Sequence, residues 1–178
     1  MSKIAKRKQI IFSVLLPLAL ATLIYILFRS EHILINQLLN RTYLHAFISD
    51  FRNICMPLYE PKYSILIFSL PSSLWLYSTM NAMLVLWKNR INKNNLLWFT
   101  LPFIYCVVLE LFQKLKITDG TFDLIDMILY LFTFSSFFLI NRQKIEKGWL
   151  EKSDKTTHWN ALAGLISFIS VVVLSDYF

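Results

Sequence analysis

Five stretches of this chain run almost without charge, and that pattern limits the fold more than any other feature. They cover about residues 10–28, 63–87, 95–113, 122–140 and 158–175. A backbone surrounded by hydrocarbon must satisfy its own N–H and C=O groups, which leaves the helix as the natural conformation for each run. Crossing a bilayer takes about 20 apolar residues, with roughly 17 as the short limit. The third and fifth runs are near that limit, so tilt or snorkelling at their ends is expected. Only 16% of the 178 residues are charged, against roughly 25% in an ordinary soluble domain. The expected fold is an all-α membrane protein, a bundle of about five transmembrane helices forming a single domain over 1–178.

The first run follows Lys3, Lys6, Arg7 and Lys8, as the apolar part of a signal peptide would. It is longer than the usual 7–15 residues of such a segment and no small-x-small cleavage site follows, so it reads as a retained span. Between the first two runs, Leu34, Leu38, Leu39, Tyr43, Ala46 and Phe47 recur at helical spacing, with Glu31, Asn36, Asn40, Arg41 and His45 largely opposite. This predicts an external, interfacial amphipathic helix over about 31–49. Pro17, Pro71 and Pro102 are expected to kink helices or mark their boundaries.

The net charge of +7 would suggest nucleic acid in a soluble protein, but the basic residues gather at the ends of the apolar runs. No nucleic-acid partner is expected. With the N-terminus inside, twelve Lys and Arg fall in cytoplasmic segments: four before the first run, Lys88, Arg90 and Lys93, and five from Arg142 to Lys155. Only six fall outside (Arg29, Arg41, Arg52, Lys62, Lys114 and Lys116). The bias predicts a multi-pass protein of the cell membrane with the N-terminus cytoplasmic and the C-terminus external. Trp87, Trp98, Trp149 and Trp159 lie at the cytoplasmic ends, as an aromatic belt would.

Charge inside a span costs about 2.5–3.5 kcal/mol per residue at mid-helix on insertion scales, so intramembrane acids mark functional candidates. Glu110 and Gln113 share a face at the external end of the third span. Asp123 and Asp126 share one at the start of the fourth, with Tyr130 a turn deeper. The short connection makes these helices antiparallel neighbours, so the five residues are expected to form an acidic pocket that binds a polar or cationic ligand. Capping is the competing account of Asp119 and Asp123, and an i,i+4 pair with Lys114 on an exposed end is the competing account of Glu110.

Other chemistries find less support. His32, His45 and His158 have no metal-binding spacing, and no metal or cofactor is expected. Cys55 and Cys106 form no CxxC pair. Ser72, Ser73, Ser135 and Ser136 lack a histidine partner at sensible depth. The stretch from Leu70 to Tyr77 reads as a break or re-entrant start to the second span, its hydroxyls covering carbonyls freed near Pro71.

The segment Glu110-Leu-Phe-Gln113 followed by Thr121-Phe-Asp-Leu-Ile-Asp126 resembles the core of the VanZ-like family of small bacterial membrane proteins. In that family an E-x-L/F-Q ends one helix and an aspartate opens the next. The resemblance covers about a quarter of the chain and implies that Glu110, Gln113 and Asp126 are the equivalent polar positions, with Asp123 at a less fixed acidic one. Gly120 stands where the family usually has Arg, and Tyr130 and Phe134 where Asn and glycines often follow. The resemblance implies a role at the outer face of the cell envelope, connected with glycopeptide resistance. The first expectation is therefore a noncatalytic envelope protein in contact with membrane lipids. The alternatives are an intramembrane enzyme acting on a lipid-linked substrate, with Asp126 or Glu110 as base, and a structural subunit paired with a membrane-protein partner.

Overall fold

The computed structural model describes residues 3–28, 43, 45–55, 57, 67–118, 121–145 and 155–176. Among these residues the structure is helical throughout, apart from turns and one isolated parallel bridge between Ile91 and Ile145. Helix α1 runs through Lys3–Ile10, a π-helical stretch Ile11–Leu15, and Leu16–Phe28. It is followed by α2 (His45–Cys55), α3 (Leu70–Leu86), α4 (Leu96–Lys114), α5 (Leu124–Ile140), a 3₁₀ turn Arg142–Lys144, and α6 (Lys155–Asp176).

Two of these helices are long and apolar enough to cross a membrane, Arg7–Phe28 and Leu96–Lys114; Leu124–Ile140 is apolar but shorter. The interfacial helix expected over 31–49 falls largely outside the described residues. The helix found in that region, α2, begins at His45 and continues past the expected end to Cys55. It packs against the second half of α1 and leaves Phe47, Phe51 and Ile54 exposed along one side.

Helix α3 is the centre of the bundle, packed by α1, α4, α5 and α6. Its buried positions include Pro71, Ser73, Trp75, Leu76, Ser78 and Met80, which occupy every side of the helix. A helix enclosed by four neighbours needs no apolar stripe, so Ser78 and Asn81 are tolerated where they find partners. Asn81 donates its amide to the Tyr77 carbonyl at 2.9 Å. In the run expected as a second span over 63–87 the described helix is Leu70–Leu86, with Pro71 in the first turn, where its missing N–H costs nothing. Around α3 the core is aromatic: Tyr25 stacks on Trp75 with centroids 5.0 Å apart, Phe99 on Phe137 at 5.7 Å, and Phe103 on Phe134 at 4.4 Å.

Pro17 has a local answer. An α-helix would clash its ring with the carbonyl four residues back, and the chain widens into the π turn Ile11–Leu15 just before it. The Val14 carbonyl in that turn accepts a hydrogen bond from the Ser78 hydroxyl of α3 at 2.8 Å, so a neighbouring helix satisfies it. Pro102 lies buried inside α4, which continues through it.

Two helices end in Schellman turns with a lysine in the left-handed position after the cap, followed after α3 by a left-handed Asn89. After α3, Asn89 N–H reaches the Leu84 carbonyl at 2.8 Å and Lys88 (φ 54°) the Val85 carbonyl at 3.2 Å. After α4, Ile117 N–H reaches Phe112 at 2.9 Å and Lys116 (φ 57°) reaches Gln113 at 3.0 Å. Glycine is the usual residue there, and this chain has only three.

Candidate functional site

The antiparallel contact of α4 with α5 sets the site. Glu110, in the last turns of α4, is 5% exposed, so the account that leaves it on an exposed end does not describe its position. Its Oε2 accepts a hydrogen bond from the Asp123 backbone N–H at 3.2 Å. Asp123 itself is the N-cap of α5: extended in backbone, it accepts the Ile125 N–H on Oδ1 at 2.8 Å. Capping therefore explains the Asp123 side chain, while its main chain joins α5 to Glu110.

Asp126 lies in the first turn of α5 and is half-buried, where the helix dipole favours an acid. One turn deeper, Tyr130 is 6% exposed. Its hydroxyl lies within hydrogen-bonding reach of the Ser72 side chain and within electrostatic reach of Cys106, Asp126 and Glu110. The expected Glu110, Asp123, Asp126 and Tyr130 thus come together at one end of the bundle. Gln113 sits half-buried on the last turn of α4, and among the described residues its side-chain amide joins none of the hydrogen bonds here. Lys114, which could have paired with Glu110, places its ammonium over the Phe122 ring, 5.0 Å from the centroid.

Ser72 and Cys106 are additions to the expected set. Cys106 precedes Glu110 by four residues and so shares its face, a signal present in the sequence. Ser72 arrives from the first turn of α3, and its hydroxyl also reaches the Ser69 carbonyl at 2.9 Å, the carbonyl-covering role expected near Pro71. Three helices therefore contribute polar side chains to one buried cluster, which can accept hydrogen bonds through its carboxylates and exchange them through the hydroxyls. Among the described residues no group of three His, Cys, Asp or Glu side chains is placed to hold a metal ion.

The opposite end of the bundle holds a second polar junction. Trp98 donates its indole N–H to His158 Nδ1 at 3.2 Å, and Trp87 meets the same imidazole edge-on at 5.0 Å. Trp87 is buried, so it serves packing between α3 and α6, not the expected aromatic belt. Trp159 is 69% exposed; Trp149 lies outside the described residues. Compared with known families, curated proteins and solved structures, the chain matches none.

Proposed function

We propose that the chain is a five-span protein of the cell membrane whose external end carries an acidic pocket for a polar or cationic envelope ligand. The carrying observation is the burial of Glu110 beside Tyr130 and Asp126 at a three-helix junction. Burying a carboxyl is expensive, and such groups are retained where they bind, react or join elements.

Support for the membrane comes from the outward surfaces. Phe12, Leu15, Leu16 and Leu23 of α1 and Ile128 and Phe132 of α5 are 48–69% exposed, apolar outer surfaces that water would not stabilise and lipid would. The exposed stripe of α2 suits the external interface. The serines of α3 are compatible with its being one of the five spans, because four neighbouring helices shield it from lipid. Orientation follows the basic residues, N-terminus inside and C-terminus outside.

Within this reading the protein is of the VanZ-like kind and noncatalytic, and it affects susceptibility to glycopeptides by engaging a ligand at the outer face. The test uses Glu110→Gln and Asp126→Asn, expressed at wild-type levels and scored by thermal stability and glycopeptide susceptibility. Loss of the resistance phenotype with stability preserved supports a binding pocket. Unchanged phenotype in both variants removes it, and joint loss of stability and phenotype reduces the acids to structural links.

A further inference from the structure

The connections that follow α3 and α5 are held together at the end opposite the acids. Ile91 N–H donates to the Lys144 carbonyl at 2.9 Å, and Ile91 is 1% exposed. Left-handed Lys88 and Asn89 turn the first connection, and the Gln9 amide of α1 bonds the Asn89 side chain. Buried asparagines fix the rest: Asn92 N–H donates to Asn95 Oδ1 at 2.8 Å, Asn95 Nδ2 to the Arg90 carbonyl at 2.9 Å, and Asn141 Nδ2 to the Phe137 carbonyl at 2.9 Å.

The described parts of the two connections, residues 88–95 and 141–145, contain Lys88, Arg90, Lys93, Arg142 and Lys144 and no acidic residue; Glu146, Glu151 and Asp154 follow in the rest of the second connection, together with Lys147 and Lys152. The bridge brings the two backbones, and with them these five cations, together at one end of the bundle. Lys144 is partly desolvated, which lowers its pKa, and its ammonium donates to Asn141 Oδ1 at 2.6 Å. Beside the cations the surface is apolar: Leu97, Leu139, Ile140 and Trp159 are 59–69% exposed. Clustered cations bordered by exposed apolar side chains fit a molecule with an anionic head and a hydrocarbon tail.

We propose that this cluster binds an anionic phospholipid of the inner leaflet, its phosphate on the cations and its acyl chains along Leu97, Leu139 and Ile140. The inference rests on the five-span reading. A soluble acidic partner or free phosphate would use the cations but not the apolar border.

The full-length chain in neutral detergent is titrated with phosphatidylglycerol, phosphatidylcholine or inorganic phosphate, and the thermal midpoint is followed. Phosphatidylglycerol is expected to bind at least about tenfold more tightly than phosphatidylcholine, and inorganic phosphate to give no shift. The double variant Lys88→Gln/Arg142→Gln is expected to weaken phosphatidylglycerol roughly thirtyfold, from about fivefold per basic residue, while Lys116→Gln at the far end leaves it unchanged. Equal binding of the two lipids, or a full shift with phosphate alone, overturns the proposal. An alkaline carbonate wash of membranes separates the two levels of failure. A chain that resists the wash but shows no lipid preference keeps the five-span reading and loses the lipid site. A chain released by the wash loses both.

Discussion

Removing the Glu110 carboxyl tests how the acidic end is built. In Glu110→Leu the side-chain volume is nearly kept, but the Asp123 N–H loses the acceptor it now has at 3.2 Å. An unmet buried donor costs about 1–3 kcal/mol. The long distance and the half-buried donor place this case near the lower end, at about 1–2 kcal/mol. For a chain of this size each kcal/mol moves the thermal midpoint by about 2–4 °C, so a drop of about 2–8 °C is expected. Glu110→Gln keeps a carbonyl oxygen for the same N–H and should fall by less than about 3 °C. The assay is thermal unfolding of the full chain in a mild detergent, wild type and both variants side by side. A Leu variant as stable as the Gln variant would refute the reasoning, because the Asp123 bond would then contribute nothing.

Other outcomes follow from single contacts. Ser78→Ala removes the donor to the Val14 carbonyl and should cost about 0.6–1 kcal/mol in detergent unfolding. Ser73→Ala should be neutral or stabilising by up to about 1 kcal/mol, since the buried Ser73 hydroxyl has no hydrogen-bond partner among the described residues; a larger loss than for Ser78→Ala contradicts both. Lys116→Gly relieves a left-handed lysine and should raise stability by about 0.5–1 kcal/mol, read as a higher thermal midpoint. Phe137→Ala opens a hole at a fully buried ring stacked on Phe99 and should cost about 3–5 kcal/mol, enough to lower the yield of folded protein on size-exclusion chromatography.

The helices were legible where absence of charge decides structure. The ends of α4 and α5 fall within about two residues of the expected spans because Lys93 and Lys114, and Asp123 and Arg142, bound them. The acids were legible for the same reason, since a carboxyl in an apolar run stands out. What the pattern lacks is rotation and register. Nothing in the sequence of α3 says that four helices surround it, and so Ser72, which meets Tyr130 only through that packing, could be placed near Pro71 but not beside the acids. The π turn ahead of Pro17 was expected only as a kink or boundary, and its hydrogen bond to Ser78, 64 residues from Val14, has no local signal. Lysines at left-handed helix ends carry no glycine signal, and the Ile91–Ile145 bridge joins segments whose pairing no local propensity encodes.

The most direct test of the account is the sidedness of α5, which separates the acidic end from the basic end. In a chain with Cys55 and Cys106 replaced by alanine, single cysteines are introduced at Thr121 and at Arg142, both exposed, and labelled in intact cells with a membrane-impermeant maleimide. The account predicts labelling of Thr121→Cys from outside and of Arg142→Cys only after the membrane is permeabilised. Equal labelling of both from the same side would contradict it, because α5 would then not cross the membrane and the acidic cluster would not stand at its outer face.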